Sequence, residues 1–239
     1  MEKGILYIVL NDISIMNECV YSASTVKKYC PDIPIQIITN IPSNEFNKKY
    51  FDYVETVSDK IHPLKAKVKF LLNSRFKNTL FLDADTEIKD NIDELFELFH
   101  KYDFIGTFDN LCDWTQVPVR FLKQESEDIN TGFLLYNDHF EVKNLIQNWF
   151  ELISLQDEKN MKPGTNCDQV YFNRHIREKI LNDPKIKSFL LSNKIYNVRP
   201  WCWDKLISEK EFGNVKILHA HHLNNGFLTK LKRKLKYIK

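Results

Sequence analysis

The segment TLFLDADTEI, residues 79–88, constrains this chain most. Thr79–Leu82 reads as a short apolar strand that runs directly into Asp83. The C-terminal ends of strands are where open α/β sheets bind ligands. If Asp83-Ala84-Asp85 stays extended, its period of two turns both carboxylates to one side. Two hard anionic oxygen ligands on one side suit Mg²⁺ or Mn²⁺, which keep open positions for substrate phosphates. The plain alternative is an exposed acidic turn after a strand.

The rest of the first half fits a sheet around that strand. Gly4–Leu10, Ile35–Thr39, Tyr53–Val57 and Phe104–Thr107 read as strands. Between them, Met16–Tyr29, His62–Asn73 and Ile92–Phe99 read as helices. The first stops at Cys30-Pro31, and Asn91 caps the third, with Asp93 and Glu94 in its first turn. This rhythm predicts a three-layer α/β/α domain of Rossmann-like build with a mostly parallel central sheet. In the second half, Thr131–Tyr136 and Val215–Leu218 read as strands, the latter ending at His219. Phe140–Ile153 and Asp168–Ile180 read as helices. No linker or internal repeat appears, so one domain is expected over residues 1–225, followed by a tail over 226–239.

Composition removes several function classes. The chain has only 6 glycines, too scattered for G-x-G-x-x-G or G-x-x-x-x-G-K-[ST]. Any bound phosphate is therefore held by a metal or by side chains. A net charge of +2 does not support a general nucleic-acid coat, so no nucleic-acid partner is expected. The N-terminus, MEKGILYIVLNDIS, reads as a buried strand and not as a signal peptide. The 5 cysteines are scattered with no C-x-x-C, which points to buried or inert thiols in a reducing cytosol.

Further blocks accompany the D-x-D strand. They are K-A-K-V-K-F ahead of it, the N-I-D-E-L-F helix after it, then INTGFLLYN, NCDQVYFN, KIYNV and VKILH. In this order they resemble glycosyltransferase family 8, the glycogenin and lipopolysaccharide galactosyltransferase group of retaining GT-A enzymes. The resemblance spans nearly the whole chain, from LYIVLND to VKILHAHH. It implies a GT-A fold and metal-dependent transfer, with retention, of a hexose from a nucleotide sugar. The donor it implies is a UDP-hexose, and the acceptor a hydroxyl on a glycan or glycolipid.

Carried over by position, the resemblance implies that Asp83 and Asp85 hold Mn²⁺ or Mg²⁺ with His219 as third ligand, and that Ala84 lies beside the donor. Lys67 matches a basic position facing the donor, and Asn130 the Asn near the donor sugar. Asp168 and Gln169 match the pair beside the reacting carbon, and Leu10, Asn11 and Asp12 the loop that receives the nucleoside. Retention would follow from front-side attack, or from double displacement through Asp168 or Gln169.

Plainer roles stand beside these: Lys67 on a solvated helix face with Lys65 and Lys69, Asp168 as a helix cap, Asn130 as a turn residue. Trp201 and Trp203 suit an acceptor groove or the core equally.

The pattern is not complete. Ser14 stands where family members often place a base-stacking Tyr. The family's H-x-x-G-x-x-K-P-W ending is absent, which leaves His221 or His222 as alternative ligands and Lys230 or another tail residue for the diphosphate. A binding protein of the same fold without turnover is the second reading. Haloacid-dehalogenase-type phosphatases share a strand followed by D-x-D-x-[TV], but Glu87 occupies the fifth position here. The tail, GFLTKLKRKLKYIK, places Leu228, Leu231, Leu235 and Ile238 along one side of a basic helix. It suits either peripheral contact with an anionic membrane on the cytoplasmic side or docking on its own domain.

Overall fold

In the computed structural model, residues 1–109, 128–162 and 166–225 are described. The strand β1 (Lys3–Val9) alternates as its sequence implies. Ile5, Tyr7 and Val9 enter one apolar layer, while Leu6 and Ile8 face the other. The helix α1 (Ile13–Tyr29) covers the first layer with Met16, Cys19, Ala23 and Val26. Asp12 caps it, accepting from the backbone N–H groups of Ser14 at 2.7 Å and Ile15 at 3.2 Å.

The strands β2 (Ile35–Thr39) and β3 (Tyr53–Thr56) extend the sheet outward from β1. The helix α2 (Pro63–Leu71) covers the opposite layer with Ala66, Val68, Phe70 and Leu71. Next come β4 (Asn78–Leu82), β5 (Thr86–Ile88) and α3 (Glu94–Glu97). The expected helix at Ile92–Phe99 thus starts later, because the Asn91 side chain first closes a turn by accepting from Asp93 N at 2.8 Å.

Beyond it lie β6 (Phe104–Thr107), β7 (Phe133–Asn137) and α4 (Phe140–Ser154). Val142, Leu145, Ile146, Trp149 and Ile153 of α4 join the α2 layer at helical spacing. The single helix expected over Asp168–Ile180 is two, α5 (Asp168–His175) and α6 (Arg177–Asn182). They are divided by a turn at Ile176, with φ −113° and ψ −40°, whose side chain stays buried. The chain ends, within the described residues, with β8 (Ser188–Leu191), α7 (Trp203–Ser208) and β9 (Ile217–His219). The tail beyond residue 225 lies outside the described residues.

The central sheet has seven strands in the order β3-β2-β1-β4-β7-β6-β8. It is parallel except at β7, which runs antiparallel to β4 and β6. Helices on both faces give the expected three layers. A two-stranded sheet pairs β5 with β9, Thr86 opposite His219. Cys19, Cys30 and Cys167 are free and buried, but Cys202 is disulfide-bonded, which corrects the expectation of inert thiols throughout. Among the described residues no helix is long and apolar enough to cross a membrane.

Candidate active site

A cleft of about 600 Å³ opens where β4 ends and is lined by Lys67, Asp83, Ala84, Asp85, Asn130, Asp168, Gln169 and His219 among others. Asp83 and Asp85 do not converge through an extended strand, as the sequence suggested. The chain turns at Ala84 and Asp85, and Thr86 Oγ1 donates to the Asp83 carbonyl at 3.0 Å. Convergence comes instead from the β5–β9 pairing, which delivers His219 to the turn. His219 Nε2 lies 3.2 Å from Asp85 Oδ1 and 3.8 Å from Asp83 Oδ2.

Asn197 sets the direction of that imidazole. Its Nδ2 donates to Thr107 Oγ1 at 2.8 Å, which leaves Oδ1 to accept from His219 Nδ1–H at 2.6 Å. The network thereby assigns a proton to Nδ1 and turns Nε2 toward the carboxylates, where it donates to Asp85 when the ring is protonated and offers its lone pair to a cation when the ring is neutral. Asn197 adopts φ 63°, a left-handed conformation that Asn tolerates better than most residues. Its signal in the sequence is the KIYNV block, but its partner there was not apparent.

Asp83, Asp85 and His219 each offer a ligand atom within 4.8 Å of the others. Two carboxylates and an imidazole with its lone pair facing them fit a divalent cation such as Mn²⁺. A second set, Glu18, Asp85 and His221, meets the same spacing. There Glu18 Oε2 and Asp85 Oδ2 lie 3.2 Å and 3.4 Å from His221 Nδ1, and Glu18 also accepts from His222 N at 3.0 Å. Of the three histidines left open by the sequence, His219 alone faces both carboxylates of the D-x-D turn within ion-pair distance.

Burial by itself would raise the Asp85 carboxyl. His219, by charge and hydrogen bond, then His221 and Arg199, outweigh it and hold Asp85 well below the usual carboxylate range. His221 is raised above the ordinary histidine value, first by its hydrogen bond to Glu18.

Lys67 ties the D-x-D turn to the opposite wall. It is not on a solvated face: Nζ lies 3.1 Å from Asp83 Oδ1 and 2.8 Å from Asp168 Oδ2, with its side chain 11% exposed. Burial favours its neutral form, but Asp168 and then Asp83 outweigh this and hold it protonated above the usual lysine value. Asp168 is not a cap either. Cys167 is the N-cap of α5, and Asp168 Oδ2 instead accepts from Thr131 Oγ1 at 2.7 Å.

Gln169 Oε1 accepts from Thr131 N at 3.2 Å, and its Nε2 donates to Asp109 at 3.0 Å. Asn130 closes the turn to Gly132, accepting from its N–H at 2.8 Å, and donates to Asp109 at 2.6 Å. Asp109 and Thr131 are thus cleft residues that sequence reading did not single out.

Leu10, Asn11 and Asp12 are not among the residues that line the cleft. Leu10 is in the core, Asn11 pairs reciprocally with the Asn40 side chain, and Asp12 is the cap of α1.

Lys67→Met is expected to lower stability by about 3 kcal/mol, because it strands two carboxylates on a single fold. Urea unfolding at pH 7 measures this. A raised folded-state value means that the lysine's contribution is complete below pH 10.5, its ordinary value, and fades as pH rises through the higher folded value. The difference between wild type and variant should therefore narrow only in strong alkali.

No family model matches the chain, and no curated protein matches it in sequence. Solved structures do match. The glycosyltransferase GlyE of Streptococcus pneumoniae TIGR4 aligns at TM-score 0.60 and 15% identity. That alignment covers 92% of this chain but 54% of GlyE, so the chain spans about half of that protein's length. Mouse xyloside xylosyltransferase 1 aligns at TM-score 0.57 and 15% identity over 95% of this chain and 100% of its own. The galactosyltransferase LgtC, in complex with donor and acceptor sugar analogs, aligns at 0.55 and 13% identity over 92% and 87%. At these identities the likeness establishes the fold, and it is the GT-A glycosyltransferase fold that the sequence blocks implied.

Proposed function

We propose that the protein is a metal-dependent, retaining glycosyltransferase that moves a hexose from a UDP-sugar to a hydroxyl of a glycan or glycolipid. The observation that carries this reading is the meeting of Asp83, Asp85 and His219 at one wall of a cleft whose other wall presents Asp168 and Gln169. The GT-A likeness supports the same class.

Asp83, Asp85 and His219 would hold Mn²⁺ or Mg²⁺, which when bound supplies Lewis-acid neutralisation of the leaving diphosphate. Asn197 keeps the His219 lone pair on the ligand side. Lys67 fixes Asp83 and Asp168 relative to one another, so the two walls keep their spacing while the glycosidic bond breaks. Asp168, on the cleft wall and paired with Lys67, would stabilise positive charge developing at the anomeric carbon. A carboxylate held by both Lys67 and Thr131 is a weakened nucleophile, which favours front-side attack over double displacement.

Incubation with Mn²⁺ and a panel of UDP-hexoses tests this directly. UDP release with one of them, abolished by EDTA, is the expected result. Absence of release across the panel contradicts transfer and leaves the non-catalytic binding protein.

Asn197→Gly separates the role of the amide from that of the backbone, because glycine keeps φ 63° without strain. Loss of an outer-shell partner of this kind should weaken Mn²⁺ binding about 10–100-fold. Mn²⁺ electron paramagnetic resonance reads this, and unchanged affinity in a folded variant removes the assigned role of Asn197.

A further inference from the structure

Among the described residues the cleft is lined by two permanent cations of different standing, Lys67 and Arg199. Lys67 is committed to Asp83 and Asp168. Arg199 has no carboxylate within ion-pair distance among the described residues, and its buried Nε has no hydrogen-bond partner there. Its guanidinium lies over the Trp201 ring, 4.9 Å from the centroid, so one face of the plane is covered and its orientation is set. A half-buried guanidinium without a counter-charge is costly unless an anion completes it.

The backbone places this group relative to the D-x-D turn. Asn197 orients His219; Val198 then pairs with β9, donating to the Ile217 carbonyl at 2.8 Å and accepting from His219 N at 3.0 Å. Arg199 is the next residue, so its origin is fixed against the same strand that carries His219. Its charge reaches both Asp85 and His221.

We infer that Arg199 is the anion clamp of the cleft and grips the diphosphate of the nucleotide-sugar donor. A planar fork of donors matches two phosphate oxygens at once, which a lysine does not. The site lies beside the proposed cation ligands, so one diphosphate spans both. It stabilises the leaving group as the glycosidic bond breaks and charge moves onto the phosphate oxygens. This inference rests on the donor reading given above.

Calorimetric titration of UMP and UDP, each with Mn²⁺, into wild type, Arg199→Ala and Arg199→Lys tests it. In Arg199→Ala, UDP affinity should fall about 10–100-fold, the value of charge-assisted hydrogen bonds, while UMP affinity stays within about twofold. Arg199→Lys should recover part of the loss. UDP affinity in Arg199→Ala equal to wild type overturns the clamp while leaving the donor site standing. Failure of wild type to bind either nucleotide overturns the donor reading and the clamp with it.

A second measurement uses wild type alone, in case the variants do not fold. Phenylglyoxal labelling of Arg199, read by peptide mass mapping, should be suppressed by Mn²⁺ with UDP and much less by Mn²⁺ with UMP. Equal labelling with and without UDP overturns the clamp.

Discussion

Asp85→Asn is expected to reduce metal-dependent turnover by about 10³-fold, the upper end of the scale seen when a principal electrostatic contact to developing charge is removed. Asp85 is 9% exposed and stands between two imidazoles, with Oδ1 toward His219 at 3.2 Å and Oδ2 toward His221 at 3.4 Å. Both candidate cation sets use it. Asparagine keeps the volume and one carbonyl oxygen but removes the charge, so the turn at residues 84–86 and the β5–β9 pairing remain. Circular dichroism and the thermal midpoint should stay near wild type while Mn²⁺ affinity collapses. Turnover like that of wild type in this variant would contradict the metal assignment.

Gly132→Ala is expected to cost about 10²-fold in turnover, the scale of a misplacement near 1 Å in a reacting geometry. A Cβ on Gly132 would lie 2.4 Å from Asp83 Oδ2 and 2.4 Å from His219 Cε1. The backbone there cannot easily retreat, because the Gly132 carbonyl accepts from Asp83 N at 2.8 Å and its N–H donates to Asn130. The carboxylate and the imidazole must therefore part, and these are two of the three proposed ligands. Overpacking of this kind also costs stability, about 1–3 kcal/mol, so the variant should remain folded at 25 °C. Mn²⁺ affinity then separates the two effects: a folded Gly132→Ala protein with wild-type affinity would show that the site does not depend on this approach.

Much of the sheet was legible because its strands are short apolar runs with clear ends. Ile35–Thr39 and Phe104–Thr107 fold over the residues their sequence marks. The direction of β7 was not legible, since FLLYN reads the same in either sense and only its pairing with β4 and β6 reverses it. The strand β5 was missed for a related reason. Three residues carry no periodicity, and TEI becomes a strand only because β9 returns from far along the chain to pair with it.

The same contrast holds in the site. Asp83, Asp85, His219, Asp168 and Gln169 stand in recognisable blocks, and the fold gathers them in one cleft. Asn197 and Asp109 act through partners remote in sequence, so their roles, like the place of Arg199 in the cleft, appear only when β6, β9 and the segment before α7 are brought together. Gly132 was visible within INTGF as a glycine, but the need for it lies in two side chains from elsewhere in the chain, Asp83 and His219.

The measurement that bears most directly on the proposed function is calorimetric titration of UDP and GDP in the presence of Mn²⁺ and again with EDTA. UDP should bind with Mn²⁺, bind far more weakly with EDTA, and lose its manganese dependence in Asp85→Asn. Binding of neither nucleotide, or UDP binding indifferent to EDTA, would contradict a donor site built on Asp83, Asp85 and His219.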